Sequence, residues 1–537
     1  MSGVRRSVRI GGGLRLALAL PLALALMAPS AGSARSAPVA VPRTGAGAPA
    51  PPARAGSSRS APMTVTINAG RPGAPMPSDF VGLSFETPVL GYPVIASPTS
   101  NLVNLLRSLG TGQLRFGGDS LDRTQWLPAT GVRAPWAVNT VTPANLASVA
   151  GVVRAAGWRV LLGLNLGHLD PASAGDEART AASLFGTRLD GVEIGNEPDR
   201  FTVQLPEPFR FLGADPLRPA GWGPANYAAE VASVRTAVAG AGVTAPLYGP
   251  DTALTHSLPD YYPPGSSVVT DHLYPASHCK DGIPLSPGPS VSRLLGGAVS
   301  NYEDKSLDHA IEVARGRHLP LRIDEVNSVS CGGQVHTSDA FASALWAVDF
   351  ALRAASRGAI GVNFHGGVGP CLQGGQIQSP WYSPLCAAPS GALVPRPEYY
   401  GLLLLRQLEG SALIPVAYRD PRGHRVTAYA FLGSDRTVRV VVDDLDAGER
   451  PSAAAHGHEP PRPVAVTLVL SPSYRAASVL RLTAPSAYAT DSIRFGGAVV
   501  RGDGTFAGAV PEPVRGGGGR FGVKVEPGSA VVVALTG

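Results

Sequence analysis

Gly191-Val192-Glu193-Ile194-Gly195-Asn196-Glu197 is a short apolar run that ends in an amide and an acid, directly ahead of Pro198. Seven other runs follow the same plan, at 81–86, 113–117, 159–166, 246–251, 268–274, 320–327 and 359–365. Each has the length of one strand, is rich in Val, Leu and Ile, and closes on a polar residue or a glycine. Ala-rich stretches of helical length lie between them, among them 145–156, 226–239 and 338–356. Strands alternating with helices pair in parallel, and eight such units close a (β/α)8 TIM barrel. Barrel strands are covered on both faces, which is why the runs are nearly continuous in apolar residues. The expected fold class is α/β, with the barrel spanning 78–404.

Beyond about residue 405 the helical period stops. Alternating runs appear at 425–432, 437–443, 464–470, 521–525 and 530–535, parted by Gly, Pro and Asp turns. This texture predicts an antiparallel β-sandwich over 405–537. Thr64-Val65-Thr66-Ile67-Asn68 alternates in the same way, so 63–77 is expected to add a strand to the sandwich and clamp the two domains together. The stretches 447–462 and 515–519 read as loops.

Residues 1–34 read as a secretory signal. Arg5, Arg6, Arg9 and Arg15 make a basic start, 16–27 is an apolar run, and small residues follow through Ala34. The run is short for a membrane span. The Arg5-Arg6 pair suits twin-arginine export as well as an ordinary basic start; an uncleaved N-terminal anchor is the alternative. Residues 35–62, mostly Ala, Pro, Gly, Ser and Arg, lack the apolar groups to fold and read as a disordered tether. The processed protein is expected outside the cell and free of the membrane. The net charge of +6 carries no message about partners, because residues 1–60 hold eight arginines and no acid, leaving −2 for the rest. Nothing there favours nucleic acid. Four cysteines, an even number, suit disulfides in an exported chain. Three pairings are possible; Cys371–Cys386, closing a short loop, with Cys279–Cys331 is the expected one, and free buried thiols are the alternative. The spacings lack the repetition of a zinc site.

In such a barrel the chemistry sits at the C-terminal ends of the strands. Those ends carry Glu86, Gly117-Gly118-Asp119, Asn165, Asn196-Glu197, Asp251, Asp271-His272 with Tyr274, Asp324-Glu325 with Asn327, and Asn363 with His365. A ring of acids and amides with few basic groups suits sugar hydroxyls rather than phosphates. P-loop and dinucleotide patterns are absent. Glu197 and Glu325, on strands four and seven, are the candidate catalytic pair. Glycosidic bonds need one carboxyl to protonate the leaving oxygen and another to act at the anomeric carbon. Burial and the charge of Glu325 should raise Glu197, while Glu325 stays ionised. Asn196 is placed to bind a sugar 2-OH. Alternation along the seventh strand predicts that Asp324 and Glu325 point to opposite sides, so that only one faces the site. Glu193, deeper in the barrel, reads as structural, and so does His272. Glu86 and Asp119 read as contacts to sugar hydroxyls or as loop caps. His365 reads as the floor of the site or as a core histidine. His456-Gly457-His458 reads as a solvated loop rather than a metal site.

Several stretches resemble glycoside hydrolase family 79, which holds β-glucuronidases and heparanases. They are Phe80-Val81-Gly82-Leu83-Ser84-Phe85-Glu86, Leu114-Arg115-Phe116-Gly117-Gly118-Asp119-Ser120, 192–198, 323–333, 338–346, 361–365 and Tyr399-Tyr400-Gly401. The resemblance runs over about 64–537. It implies a retaining exo-hydrolase for β-linked glucuronic acid or its 4-O-methyl ether, with Glu197 as acid/base and Glu325 as nucleophile. It also implies that Tyr274 orients the nucleophile. It further implies that a loop after the nucleophile binds the uronate carboxylate through a Tyr and backbone N–H groups. Here that loop runs from Asn327 to Gly333; Gly332 and Gly333 are present, but Ser330 stands where the Tyr would be. A neutral-sugar β-glycosidase, an endo-acting glycosaminoglycan hydrolase and an inactive carbohydrate-binding barrel are the other readings. No metal or organic cofactor is implied, since carboxylates and water suffice.

Overall fold

The computed structural model describes residues 62–96, 100–205, 212–213, 215–279, 289–371, 379–419, 425–448 and 461–537. The export signal, all but the last residue of the tether, and His456-Gly457-His458 lie outside the described residues.

Eight parallel strands form one sheet: Val81–Glu86, Gln113–Gly117, Arg159–Leu164, Leu189–Ile194, Tyr248–Thr252, Val268–Leu273, Leu321–Val326 and Gly361–Gly366. In chain order the neighbours run four, three, two, one, eight, seven, six, five. A bridge between Val192 and Leu247 joins strands four and five and closes the barrel. Helices between the strands, such as Pro143–Ala156 and Pro224–Gly240, bury one face against it. No helix of the described residues is long and apolar enough to cross a membrane.

The barrel interior is polar. Near its N-terminal end Asn363 accepts from Arg322 Nε at 2.6 Å and donates to Gln113 Oε1 at 3.0 Å. These long side chains fit because the strands offer glycines opposite them: a Cβ on Gly82 would stand 2.7 Å from the Asn363 amide. Above this layer lies Arg115, wholly buried.

The C-terminal part is a two-sheet sandwich. One sheet orders Val416–Arg419, Met63–Ile67, Val464–Val469, Arg520–Val525 and Gly516–Gly517. Met63–Ile67 pairs antiparallel with 416–419 and parallel with 466–469, so one pairing departs from the antiparallel expectation. The other sheet includes Val426–Leu432, Val438–Asp444, Ser529–Thr536 and Ala476–Thr483. The last of these was not expected as a strand; its Ser478 and Arg481 dilute the apolar alternation.

That second sheet is buried on both faces, which explains the unbroken Val440-Val441-Val442 and Val531-Val532-Val533. Val440, Val442, Val531 and Val533 belong to the sandwich core, while Val441 and Val532 belong to the barrel core. The helix Phe341–Arg357 is part of that barrel core and is buried nearly all round. Its first N–H groups lack helical partners. Phe341 donates instead to Ala489 O at 2.7 Å and Ala342 to Ala487 O at 2.8 Å, both in the sandwich domain. Disulfides join Cys279 to Cys331 and Cys371 to Cys386.

Asp443 is fully buried, and neither carboxyl oxygen has a hydrogen-bond partner. Burial, then Asp349 and Asp444, hold its carboxyl well above 3.8. Its contribution to stability is whole below that unfolded value and is lost as pH rises toward the folded one. D443N removes the charge at nearly constant shape. Between about pH 4 and pH 8 its unfolding midpoint should fall less than that of the wild type and exceed it at the upper end. Parallel curves in a thermal melt series would show that Asp443 carries no such penalty.

Candidate active site

The fourth strand ends at Ile194, earlier than its apolar run, because the backbone turns there. Gly195 has φ +79° and Glu197 has φ +52°, a left-handed conformation unusual for a side chain with a Cβ. The turn lifts Glu197 over the barrel mouth, where its N–H donates to Asp251 O at 2.9 Å. Asn196 is fixed just beneath. Its N–H donates to Asp122 Oδ2 at 2.9 Å, and its side-chain oxygen accepts from Arg115 Nη2 at 2.9 Å and Gly118 N at 3.0 Å. The amide NH2 is thereby the end left to face the mouth.

The seventh strand carries a register shift between Ile323 and Val326 against both neighbours. A bulge breaks the strict alternation of side chains. Asp324 and Glu325 therefore both face the interior, which corrects the expectation that only one would. Asp324 Oδ2 lies 3.7 Å from Arg115 Nε, and Glu325 Oε2 accepts from Arg115 Nη1 at 2.6 Å. Glu193 accepts from Arg115 Nε at 2.9 Å, fully buried in the layer below.

Glu325 is the best-furnished carboxylate of the mouth. Tyr274 Oη donates to its Oε1 at 2.8 Å, and His365 Nδ1 lies 3.6 Å from its Oε2. Burial alone would raise its pKa. The positive ends of His365, His272 and Arg115, with the Tyr274 hydroxyl, outweigh burial and hold it well below the ordinary carboxylate range. Glu197 is shifted the other way: burial first, then the charges of Asp119 and Glu325, hold it well above 4.5. Oxygens of the two carboxyls and a nitrogen of His272 all lie within 4.8 Å of one another.

His272 belongs to this site rather than to the scaffold alone. Its Nδ1 is 2.9 Å from Glu197 Oε1, and its Nε2 is 3.2 Å from Arg115 Nη2. Guanidinium only donates, so Nε2 accepts and the ring proton sits on Nδ1, donating to Glu197. Burial pushes this imidazole down to about 4, so it is neutral at pH 7. A cation held by Glu197, His272 and Glu325, or by Asp251, His272 and Asp324, would compete with the guanidinium already bonded there.

The other candidates divide. Glu86 accepts from Ser120 N at 2.9 Å and also from the Ser120 hydroxyl, so it caps the loop after the second strand while facing His365 Nε2 at 3.8 Å. Burial, then Asp119, raise it to about 8. A Cβ at Gly118 would stand 2.5 Å from the Glu86 carboxyl, which is why a glycine lies there. Asp119 lines the same cavity as Glu197, raised to about 6 by burial and by Glu325. His365 bonds Ser84 Oγ at 2.9 Å, buried between Glu86 and Glu325. Asn165 turns away to the carbonyls of Leu121 and Thr124, and Asp271 turns to Thr252 outside the barrel lumen. Ser330 donates its hydroxyl to Ser277 Oγ at 2.8 Å. Gly332 and Gly333 are buried against the segment that carries Tyr382: Trp381 N donates to Gly332 O at 2.7 Å, and a Cβ on Gly333 would stand 2.9 Å from Tyr382 N.

The sequence assigns no role to Arg115 or Tyr382 and reads His272 as structural. Arg115 had a usable signal, since a basic residue inside an interior-bound strand demands buried acids. His272 had its place at a strand end but no sign of its partner. Tyr382, whose ring lies 6.0 Å from those of both Tyr274 and His365, comes from irregular chain after the eighth strand and had none.

No curated protein sequence matches the chain. Among solved structures, it is similar to a 4-O-α-L-rhamnosyl-β-D-glucuronidase from Fusarium oxysporum 12S, at 20% identity and TM-score 0.66, covering 88% of this chain and 100% of that one. It is also similar to a GH51 arabinofuranosidase from Xanthomonas axonopodis pv. citri, at 14% identity and TM-score 0.60, with 88% and 100% covered. An α-L-arabinofuranosidase from Thermotoga maritima follows at 13% identity and TM-score 0.60, with 88% and 99% covered. These likenesses bear on the fold. Residues 428–532 match the glycosyl hydrolase family 79 C-terminal beta domain. In this chain that domain is joined to a (β/α)8 barrel, the architecture shared with the solved glycoside hydrolases above.

Proposed function

We propose that the protein is a retaining exo-β-glucuronidase that works by double displacement. The observation that carries the reading is the Glu197–Glu325 pair: two carboxyls with oxygens within 4.8 Å, held in opposite protonation states. That spacing favours a covalent intermediate, since inversion needs about 6.5–9.5 Å to admit a water between the groups. Glu197, protonated, gives its proton to the glycosidic oxygen as the C–O bond breaks. Glu325, ionised, forms a bond to the anomeric carbon. Glu197, now a carboxylate, takes a proton from water, whose oxygen displaces Glu325. Because Nδ1 of His272 donates to Glu197 Oε1, the acidic proton resides on the other oxygen, toward the substrate. Asn196 offers its NH2 to the sugar 2-OH. Tyr274 steadies Glu325, while Glu86, Asp119 and His365 meet the remaining hydroxyls.

Uronate specificity rests on the loop after the seventh strand. The Tyr that Ser330 does not supply has a counterpart in Tyr382, which Gly332 and Gly333 allow to approach. Its hydroxyl, with neighbouring N–H groups, suits a carboxylate. The solved relative from Fusarium oxysporum is a glucuronidase by its description, which favours the same reading. A neutral β-glucoside is the second reading, motivated by Ser330. Export through residues 1–34 is part of the proposal.

Matched aryl β-glucuronide and aryl β-glucoside substrates test the specificity directly. The wild type should prefer the glucuronide, and Y382F should lose about ten-fold in kcat/KM on it alone. Equal loss on both substrates would give Tyr382 a general role and move the enzyme toward neutral sugars.

E197Q should lower turnover on the order of 10²–10⁴-fold on a poor leaving group and much less on dinitrophenolate, which needs no proton. E325Q should abolish turnover on both. A uniform loss in E197Q would remove it from the acid role.

The pH profile of kcat/KM should rise as Glu325 ionises below 4.5 and fall as Glu197 deprotonates well above 4.5. Asp119 is one of the charges that raise Glu197, so D119N should move the falling limb to lower pH. A limb that stays put would assign it to another group.

A further inference from the structure

A cavity of about 620 Å³ opens at the C-terminal end of the barrel, outside the pocket of the glutamate pair. Consecutive residues form the partition between the two. Asp122 and Arg123 line the inner cavity and Thr124 and Gln125 the outer one; Leu217 is inner and Arg218 outer. The far wall comes from the chain after the third barrel strand and from the helix Pro171–Phe185.

Three features of this outer cavity point to a ligand. Glu177 lines it, is only 6% exposed, and makes no hydrogen bond or ion pair among the described residues. Burial, with Asp176 beside it, pushes this carboxyl up to about 8, so at neutral pH it offers an unused donor and an unused acceptor. Trp136 stacks on His168 with ring centroids 3.8 Å apart and planes at 14°, presenting a flat aromatic wall. Finally, the cavity's guanidinium is already occupied: Arg218 donates to Glu230 Oε2 at 2.7 Å and to the Leu166 carbonyl at 2.6 Å. An anion would find no spare cation there.

We propose that this outer cavity is a second carbohydrate-binding site, which takes an uncharged sugar ring stacked on Trp136 and hydrogen-bonded to Glu177. A pyranose has the matching surfaces, an apolar C–H face for the indole and hydroxyls that both donate and accept. The site holds a neutral part of a glycan while the glutamate pair works on another. It rests on the carbohydrate chemistry of the enzyme but not on the uronate reading.

The test is calorimetric titration of the full chain carrying E325Q, with cellotetraose, xylotetraose and β-1,4-galactotetraose as probes. At least one should bind. Adding W136A or E177L should weaken that binding about ten-fold, near 1.4 kcal/mol, while E177Q stays within about three-fold because an amide still donates and accepts. In the otherwise unaltered enzyme, W136A and E177L should leave aryl β-glucuronide hydrolysis unchanged. No binding by any probe, or binding indifferent to W136A, overturns the proposal. Equal loss in E177Q and E177L would mean a cationic ligand and overturns it too. Parallel loss of glucuronide turnover would assign the effect to the catalytic pocket, again against the proposal. An enzyme inert to glucuronides would sink the uronate reading and leave the titration to decide this one.

Discussion

One guanidinium organises the mouth of this barrel. Arg115 has no exposure, and a lone buried cation would cost several kcal/mol or more even after relaxation. Its neighbours are therefore acids and acceptors: Glu193, Asp324 and Glu325, the Asn196 oxygen and His272 Nε2. The consequences go beyond charge balance. Because guanidinium only donates, it turns the Asn196 amide so that the NH2 faces outward. For the same reason it selects the His272 tautomer that donates to Glu197. It also helps keep Glu325 ionised in a site whose burial would otherwise protonate it. The opposite protonation states of the two glutamates thus depend on a residue that touches only one of them.

The backbone supplies what the guanidinium cannot. On the fourth strand, two left-handed residues within three positions redirect the chain and set Glu197 above the mouth. On the seventh, a bulge brings Asp324 and Glu325 to the same side. An unbroken alternating strand would have sent one of them into the helical layer. Both irregularities fall where acids converge, and each re-aims a carboxyl that regular geometry would misplace.

What was legible in the sequence follows from this. The eight runs could be read because strand length, apolar content and polar ends are local properties. The polar ring could be read because barrel topology alone brings strand ends together. Asp324 and Glu325 were misjudged because a bulge is a tertiary compromise that a period-two rule does not contain. The strand Ala476–Thr483 was missed since it borders less apolar surface than its neighbours. Tyr382 was invisible because its position depends on the glycines of another loop. The unbroken valine runs of the C-terminal sheet record a surface covered on both sides, a feature the alternation rule assumes away.

The strand Met63–Ile67 lies between Val416–Arg419 and Val464–Val469, so a segment from near the start of the barrel chain completes a sheet whose other strands are made last. During synthesis it emerges some 350 residues before its first partner, and closing so long a loop carries an entropic cost that grows slowly with length. Until residues 416–469 have been made, this segment has no ladder to join, and its alternating apolar face has no cover. The barrel strands end at Gly366, whereas the sheet that covers the helix Phe341–Arg357 is complete only once Ser529–Thr536 has been made.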